Sequence, residues 1–417
     1  MDKKRLKCEN RRFTAEINLP ASKSISNRLL IMQALSKNNI RIENVSQAND
    51  SVLLQNLLQK ISNSESHPLL LDAKDAGTTF RFLTAYLCTL EGEYLLTGSA
   101  QMQQRPIGIL VDALRQLGAK IKYQQKEGYP PLIIQGGKLH AKDLSIDAHI
   151  SSQYISAILL ISPYFSEGIK ITLNQNPSSL PYIDMTIALM QKFGVKIERN
   201  DNRISVEQGT YKTANIQVEA DWSSAAFWYQ AVAFSEQGHL LLKGLSKNSI
   251  QGDSALIDIF TNLGVKTTEV KNGLRLEKTD DYSQNINIDF KAFPDIALSV
   301  INTCAGLGVI GSFTGLESLK IKESNRIAVL MSELNKLGFD FREIDDGEWV
   351  LINSCKVNKQ QYDFSNIDIK TYDDHRVAMS FAPFAILGKG INIENAGVVI
   401  KSYPNFWKEF NKISSFA

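Results

Sequence analysis

Phe13-Thr14-Ala15-Glu16-Ile17-Asn18-Leu19 runs into Pro20-Ala21-Ser22-Lys23-Ser24-Ile25-Ser26-Asn27-Arg28, and then into the apolar run Leu29 to Leu35. Up to Leu19 apolar and polar residues alternate, as in a half-buried strand. After Arg28 the apolar residues follow helical spacing. Small hydroxyl residues, a Lys and an Arg therefore sit where a strand hands over to a helix. The free N–H groups of the first turn and the positive end of the dipole gather at such a junction. With Lys23 and Arg28 added, it suits a phosphate or a carboxylate. It equally fits a capped helix with a solvated basic face, and the junction alone does not choose.

The same pattern recurs along the chain. It reads AEINLP-ASKSISNR-LLIMQAL, LLLDA-KDAGTTFR-FLTAYL, LSIDAHI-SSQYISAILLI, IQVEA-DWSSAAFWYQAVAF, INIDFKAF-PDIALSVINTCA and IDIKTY-DDHRVAMSFAPFAI. The helix starts fall near Lys23, Gly77, Ser152, Ser223, Asp295 and His375, with spacings of 54, 75, 71, 72 and 80 residues. A second series of strand, polar turn and helix start interleaves with the first. Several of its helices end at a Gly before a strand, in LGAKI, FGVKI, LGVKT and LGFDF. Repetition at a long period marks a duplicated supersecondary unit, here βαβαββ. Six units in 417 residues predict an α/β protein of two domains with three repeats each. The sixth unit is expected to stop at a helix from Pro404 to Phe416. The strand Phe13 to Leu19 is surplus to the first half and is expected to complete that last unit. The expected domains are 20–219, and 1–19 with 220–417.

Composition narrows the class. Lys and Arg total 46 against 44 Asp and Glu, so nothing points to nucleic acid. No apolar run has membrane-spanning length, and no apolar signal core follows the basic start Met1 to Arg5. The cysteines, Cys8, Cys88, Cys304 and Cys355, form no CxxC pair. Cys88 and Cys304 lie in apolar runs and read as core residues. The expectation is a cytoplasmic protein in a reducing compartment, with no disulfide and no zinc site.

The unusual polar residues coincide with the breaks. In the first series they are Lys23, Ser24 and Arg28; Asp75, Gly77, Thr78 and Arg81; Ser151, Ser152 and Gln153; Asp295; and Asp374, His375 and Arg376. In the second they are Arg105, Ser179, Tyr182, Lys322, Glu323, Arg326 and Lys401. Each has a plain structural reading. Ser151 is an ordinary N-cap residue, Arg105 precedes a helix start with Pro106 in its first turn, and Lys322 and Arg326 suit a solvated helix face. Their joint placement is the signal. Equivalent units would bring many helix N-termini to one end of each domain, and a cleft between two such ends would trap a small, highly anionic substrate. No GxSxG, HExxH or GxxxxGK[ST] motif is present, and no cluster suits a metal. What remains is charge-stabilised chemistry on phosphorylated substrates, with carboxylate and Lys acid–base groups and no cofactor.

Ten ordered segments carry a resemblance: LPASKSISNR, DAGTTFR, LTGSAQMQQRPIG, SSQ, SLPYID, SIQGD, PDIA, KESNR, YDDHRVAM and IKSYPNF. Together they resemble the 3-phosphoshikimate 1-carboxyvinyltransferases, or EPSP synthases, over about Thr14 to Asn411. The resemblance implies two globular domains, each three βαβαββ copies forming an inside-out α/β barrel with pseudo-threefold symmetry, and an active site in the interdomain cleft. It implies transfer of the enolpyruvyl group of phosphoenolpyruvate to the 5-hydroxyl of shikimate 3-phosphate. No metal or organic cofactor, nucleic acid or membrane is implied, and a monomer is expected.

Where the motifs match, the resemblance assigns shikimate 3-phosphate to Lys23, Ser24, Arg28, Ser151, Ser152, Gln153, Ser179, Tyr182, Asp295 and Lys322. It assigns phosphoenolpyruvate to Lys23, Gly77, Arg105, Gln153, Arg326, Arg376 and Lys401. Asp295, Glu323 and Lys23 are the implied catalytic residues, with Asp295 as proton acceptor and Glu323 as proton donor. Three positions depart from the pattern. Asp75 replaces an Asn, Phe82 replaces a Pro, and Ser318 stands where an Asn is common. An added carboxylate at Asp75 would repel a phosphate unless it is protonated or turned away. Two other readings stay open. The related transferase acting on UDP-N-acetylglucosamine typically carries a Cys in the loop matching Ser99 to Arg105, which has none here. A non-catalytic sensor of phosphorylated metabolites would not need both Asp295 and Glu323.

Overall fold

The computed structural model describes residues 2–37, 39–140, 143–147, 151–174, 179–352 and 362–416. Backbone proximity gathers the chain into two compact units, residues 1–20 with 219–417 and residues 21–218. Each unit is built on three helices with almost no polar face. In 21–218 they are Lys23–Leu35 (α1), Gly77–Leu87 (α2) and Ser152–Ile161 (α3). In the other they are Trp222–Phe234 (α4), Ala297–Leu307 (α5) and His375–Phe381 (α6). All six start within two residues of the expected positions.

Every residue of α4, α5 and α6 is buried. Only Thr78 in α2 and only Gln153 in α3 fall short of that. Helices apolar on every side belong inside. Accordingly α1, α2 and α3 pack on one another, as do α4, α5 and α6. Strands such as Leu144–Asp147 and Ile169–Asn174 alternate buried and less buried residues, so one face of their sheet covers the helices.

The repeat appears in the strand order. Leu69–Asp72 pairs parallel with Gly92–Thr97 across α2. The hairpin of Lys120–Tyr123 and Leu132–Gly136 then adds antiparallel to Gly92–Thr97. Sheets containing Leu144–Asp147 and Asn285–Asp289 follow the same order. The first repeat is abbreviated. Its helix Asn49–Asn63 reaches Leu69–Asp72 through residues 64–68, with no hairpin between.

The strands that lead into α1 and α4 change places. Arg12–Asn18, ahead of α1, lies parallel to Gln237–Lys243, with Ile17 opposite Leu242. Ala214–Gln217, ahead of α4, lies parallel to Ile40–Glu43. Phe13 to Leu19 therefore joins the fourth repeat, not the last as expected. The last sheet is completed by Lys3–Lys7, antiparallel to Ile391–Glu394, and by Ser415–Phe416. Four basic residues in Lys3–Lys7 leave Leu6 as its single apolar residue, so no alternation betrayed that strand. The helix expected from Pro404 to Phe416 is confined to Phe406–Phe410.

Gly118, Gly194, Gly264 and Gly338 end their helices with φ between +78° and +94°, the left-handed cap that the LGxK-like segments predict. Cys8, Cys88 and Cys304 are free and buried; Cys355 lies outside the described residues. Among the described residues no helix is long and apolar enough to cross a membrane.

Candidate active site

The inner helices have almost no polar face, and their Lys and Arg residues lie in the first two turns: Lys23 and Arg28 in α1, Arg81 in α2 and Arg376 in α6. In 21–218, Ser22 caps α1 by accepting from Ile25 N–H. Lys23 follows it and pairs with Asp50, Nζ to Oδ2 3.2 Å. Thr79 of α2 donates to the Asp50 carbonyl at 3.0 Å, so Asp50 joins the heads of α1 and α2. Gln153 donates from Nε2 to Thr78 Oγ1 at 3.2 Å, which joins the heads of α2 and α3. Ser151 caps α3, accepting from Gln153 N–H, and Ser152 is buried beside it.

Gly77 is the tightest point of this end. A Cβ there would stand 2.6 Å from Nη1 of both Arg81 and Arg105. Two guanidiniums converging on one α-carbon create a strongly positive spot at a helix N-terminus, which favours an anion. Arg81 lies over the Tyr154 ring at 5.5 Å. The Tyr154 hydroxyl donates to the carbonyl of Pro106, next to Arg105, at 2.5 Å. Asp75 is exposed and accepts from Ser99 Oγ, which engages its carboxylate with the loop that leads to Arg105.

Arg28 works differently from its neighbours. It is 2% exposed and donates to Thr186 Oγ1 at 2.7 Å, the Ser24 carbonyl at 2.9 Å, and Ser156 Oγ and the Tyr182 carbonyl at 3.1 Å each. Its guanidinium lies over the rings of Phe82 and Tyr182 at 5.5 and 5.9 Å. Burial pulls its pKa down to about 10, which leaves it charged at neutral pH. Arg28 thereby ties α1 to α3 and to the helix Leu180–Lys192, and fixes Ser24 and Tyr182. Phe82 supports that guanidinium, and α2 still begins at Gly77. Ser179 precedes Leu180–Lys192 in the left-handed region, with φ 58°.

The unit formed by 1–20 and 219–417 carries one connected charge network. Arg326, the first residue of the helix Arg326–Lys336, is 1% exposed in its side chain. Its Nε and Nη2 grip Asp374 at 2.8 and 3.2 Å. Nη2 also reaches Glu323 at 3.0 Å, and Nη1 reaches Asp295 at 3.3 Å. Lys322 and Arg376 approach Asp295 at 3.4 and 3.2 Å, and Arg376 donates to the Asp295 carbonyl at 3.0 Å. Lys401 completes the network on Glu323 at 3.5 Å. Asp374 caps α6, accepting from Arg376 N–H. Four cations thus surround three carboxylates.

Burial works to raise the Asp295 pKa, but Arg376, Lys322 and Arg326 outweigh it and hold the carboxyl well below the usual range. Burial also opposes the Arg326 charge, and Asp374, Glu323 and Asp295 overcome it, raising its pKa. The solvated-face reading of Lys322 and Arg326 fails, since a break at Ser324 and Asn325 separates them and Arg326 points inward.

Every sequence-derived site residue falls within the described residues. Lys23, Gly77, Arg105 and Gln153 gather at one end of 21–218, with Ser24, Ser151, Ser152, Ser179 and Tyr182 on the same or adjoining elements. Asp295, Lys322, Glu323, Arg326, Arg376 and Lys401 form the network of the other unit. Asp50, Asp253 and Ser223 were not assigned from the sequence. Asp50 lies in the first turn of Asn49–Asn63, and Asp253 in the turn Gly252–Ala255. Arg81 and Asp374 stood out at the breaks without receiving a role.

A family model described as EPSP synthase (3-phosphoshikimate 1-carboxyvinyltransferase) matches residues 8–410. A 3-phosphoshikimate 1-carboxyvinyltransferase of Bacteroides fragilis (strain YCH46) is 42% identical over 405 residues, 95% of each chain. The protein of that name from Haemophilus ducreyi is 33% identical over 435 aligned positions, 96% of each chain. Among solved structures, EPSP synthase from Acinetobacter baumannii superposes with a TM-score of 0.80 at 21% identity, covering both chains completely.

Proposed function

The chain belongs to the EPSP synthase family, and from that premise we propose that it transfers the enolpyruvyl group of phosphoenolpyruvate to the 5-hydroxyl of shikimate 3-phosphate, releasing phosphate. This is a step of aromatic amino acid biosynthesis. The observation that carries the reading is the network of Lys322, Arg326, Arg376 and Lys401 around Asp295 and Glu323. It supplies acid–base carboxyls and anion-binding cations in one place. Each of the two compact units, 1–20 with 219–417 and 21–218, supplies a set of the proposed substrate-binding residues.

Phosphoenolpyruvate is a poor electrophile until its methylene carbon is protonated. Glu323 is the proton donor. Arg326 and Lys401 hold its carboxyl in this structure. When the carboxylate of phosphoenolpyruvate takes those cations, the Glu323 carboxyl is released toward the methylene carbon. Protonation leaves a cationic centre at the neighbouring carbon, and the shikimate hydroxyl attacks it. The new C–O bond forms as the O–H proton passes to the Asp295 carboxylate, giving a tetrahedral adduct. Loss of phosphate and of one methyl proton then yields the enol ether.

Asp295 orients the hydroxyl. With three cations on it, its carboxylate is a weak base. Substrate anions that draw Lys322, Arg326 and Arg376 toward themselves remove that restraint, so Asp295 gains basicity as the site fills. Lys23, Gly77, Arg105 and Gln153 receive the phosphate of phosphoenolpyruvate. Ser24, Ser151, Ser152, Ser179 and Tyr182 receive the shikimate ester, with Arg28 as their support.

A phosphate-release assay tests the reading. Release is expected with shikimate 3-phosphate as acceptor and not with UDP-N-acetylglucosamine. Release with the sugar nucleotide alone would assign the related transferase, and tight binding without release would make the chain a sensor. A second expectation concerns Gly77→Ala. The added Cβ pushes the ends of Arg81 and Arg105 aside. Both side chains are flexible, so the fold should survive, while KM for phosphoenolpyruvate rises about tenfold, as for a loss of roughly 1.4 kcal/mol. An unchanged KM would remove the two arginines from that subsite.

A further inference from the structure

Asp253 belongs to none of the roles above. It lies in the 3-10 turn Gly252–Ala255 and is 3% exposed. One carboxyl oxygen, Oδ2, accepts from Ser223 Oγ near the start of α4. The other, Oδ1, is buried with no hydrogen-bond partner among the described residues. A buried carboxylate oxygen without a donor is costly, whereas a carboxylic acid can carry its proton there. The charged groups around it come from three elements. Asp221 caps α4, Asp295 precedes α5, and Arg376 stands in the first turn of α6. Burial and then the Asp295 charge push the Asp253 carboxyl up to about 7, against the pull of Ser223 and Arg376.

We propose that Asp253 is a positioning residue for the Asp295–Arg376 pair, and that its carboxyl must keep its proton for Asp295, held by Arg376, to receive the hydroxyl of the shikimate ester. Arg376 is bound to both the side chain and the carbonyl of Asp295. An ionised Asp253 would attract that guanidinium electrostatically and so pull against its hold on Asp295. It would also add negative charge next to a substrate that already carries a phosphate and a carboxylate. Neutral Asp253 leaves Arg376 on Asp295. This rests on the enolpyruvyl-transfer reading only for the identity of the ligand.

The sign of the stability effect is fixed. The folded state holds the Asp253 proton up to about pH 7, while the unfolded chain releases it near pH 4. The folded state therefore binds more protons in that interval, and this group's contribution to stability declines as pH rises through it.

The test compares wild type, Asp253→Asn and Ser223→Ala by initial rates of phosphate release between pH 5.5 and 9, with shikimate 3-phosphate varied. Thermal melting over the same range without substrate is recorded alongside. In wild type, kcat/KM for the ester should fall about tenfold per pH unit on an alkaline limb near 7. Asparagine cannot ionise, so that limb should vanish in Asp253→Asn. Ser223→Ala removes the hydroxyl that stabilises the anion, so the limb should move up by half a pH unit or more. Relative to Asp253→Asn, the wild-type melting temperature should decline from pH 5.5 to about 7 and level off above it. Limbs that coincide in all three proteins overturn the proposal. Wild type without turnover refutes the functional reading instead, and the melting profiles then decide for Asp253, since parallel profiles overturn its ionisation.

Discussion

Arg326→Ala is expected to lower stability by about 3–5 kcal/mol, the usual cost of stripping one partner from a buried ion pair, and to lower kcat/KM by about 10²–10³-fold or more. The size follows from what the guanidinium leaves behind. Asp374 has no exposed side-chain surface, and it would lose both its contacts to Arg326, at 2.8 and 3.2 Å. Its remaining donors, Ser324 Oγ at 3.0 Å and Arg376 N–H at 2.9 Å, do not supply a full counter-charge. Asp374 also caps α6, so its rearrangement would carry Arg376 with it. Arg326→Lys keeps the charge, but an ammonium cannot span three carboxylates as the planar fork does. It should fall between the two in stability and remain close to the alanine variant in turnover. Chemical denaturation and phosphate release check both effects. An alanine variant that melts with the wild type would mean that the network contributes specificity without stability.

Much of this network is legible in the sequence because the repeat places it. Once Asp295 and the Asp374–Arg376 segment are recognised as helix starts of the first series, and the Lys322–Arg326 segment as one of the second, the repeat predicts that they gather at one end of their unit. The abbreviated first repeat was also written in the spacing. Lys23 to Gly77 is 54 residues, whereas the later intervals are 71 to 80, and the missing residues are the absent hairpin after Asn49–Asn63.

Other features had no local signal. Pairing between Arg12–Asn18 and Gln237–Lys243 joins segments more than 200 residues apart, and alternation says which face of a strand is buried but not which neighbour it takes. Lys3–Lys7 was hidden by its charges. The inward position of Arg326 depends on the turn at Ser324 and Asn325, which the i, i+4 spacing with Lys322 concealed. Asp50 and Asp253 act through burial and through neighbours supplied by other repeats, and neither is a property of the adjacent residues.

Glu323→Gln is expected to lower kcat by about 10²-fold or more, the range lost with a general acid, while KM for both substrates stays within about threefold. The two effects separate because the amide keeps the shape of the carboxyl. Its oxygen can still accept from Arg326 Nη2 or Lys401 Nζ, which approach Glu323 at 3.0 and 3.5 Å. Its NH2 cannot deliver a proton to carbon, so the methylene of phosphoenolpyruvate stays unprotonated although it is bound. Facing one cation with an NH2 group weakens that contact. The network nevertheless retains Asp374 and Asp295 on Arg326, so the melting temperature should move far less than in Arg326→Ala. Rapid-quench analysis distinguishes the step. The variant should bind both substrates and accumulate no tetrahedral adduct, because adduct formation itself needs the proton. Normal adduct formation followed by slow breakdown would place Glu323 in the second half of the reaction, as the base that removes the methyl proton. Wild-type turnover would remove it from proton transfer altogether and leave it as a tether for Arg326 and Lys401.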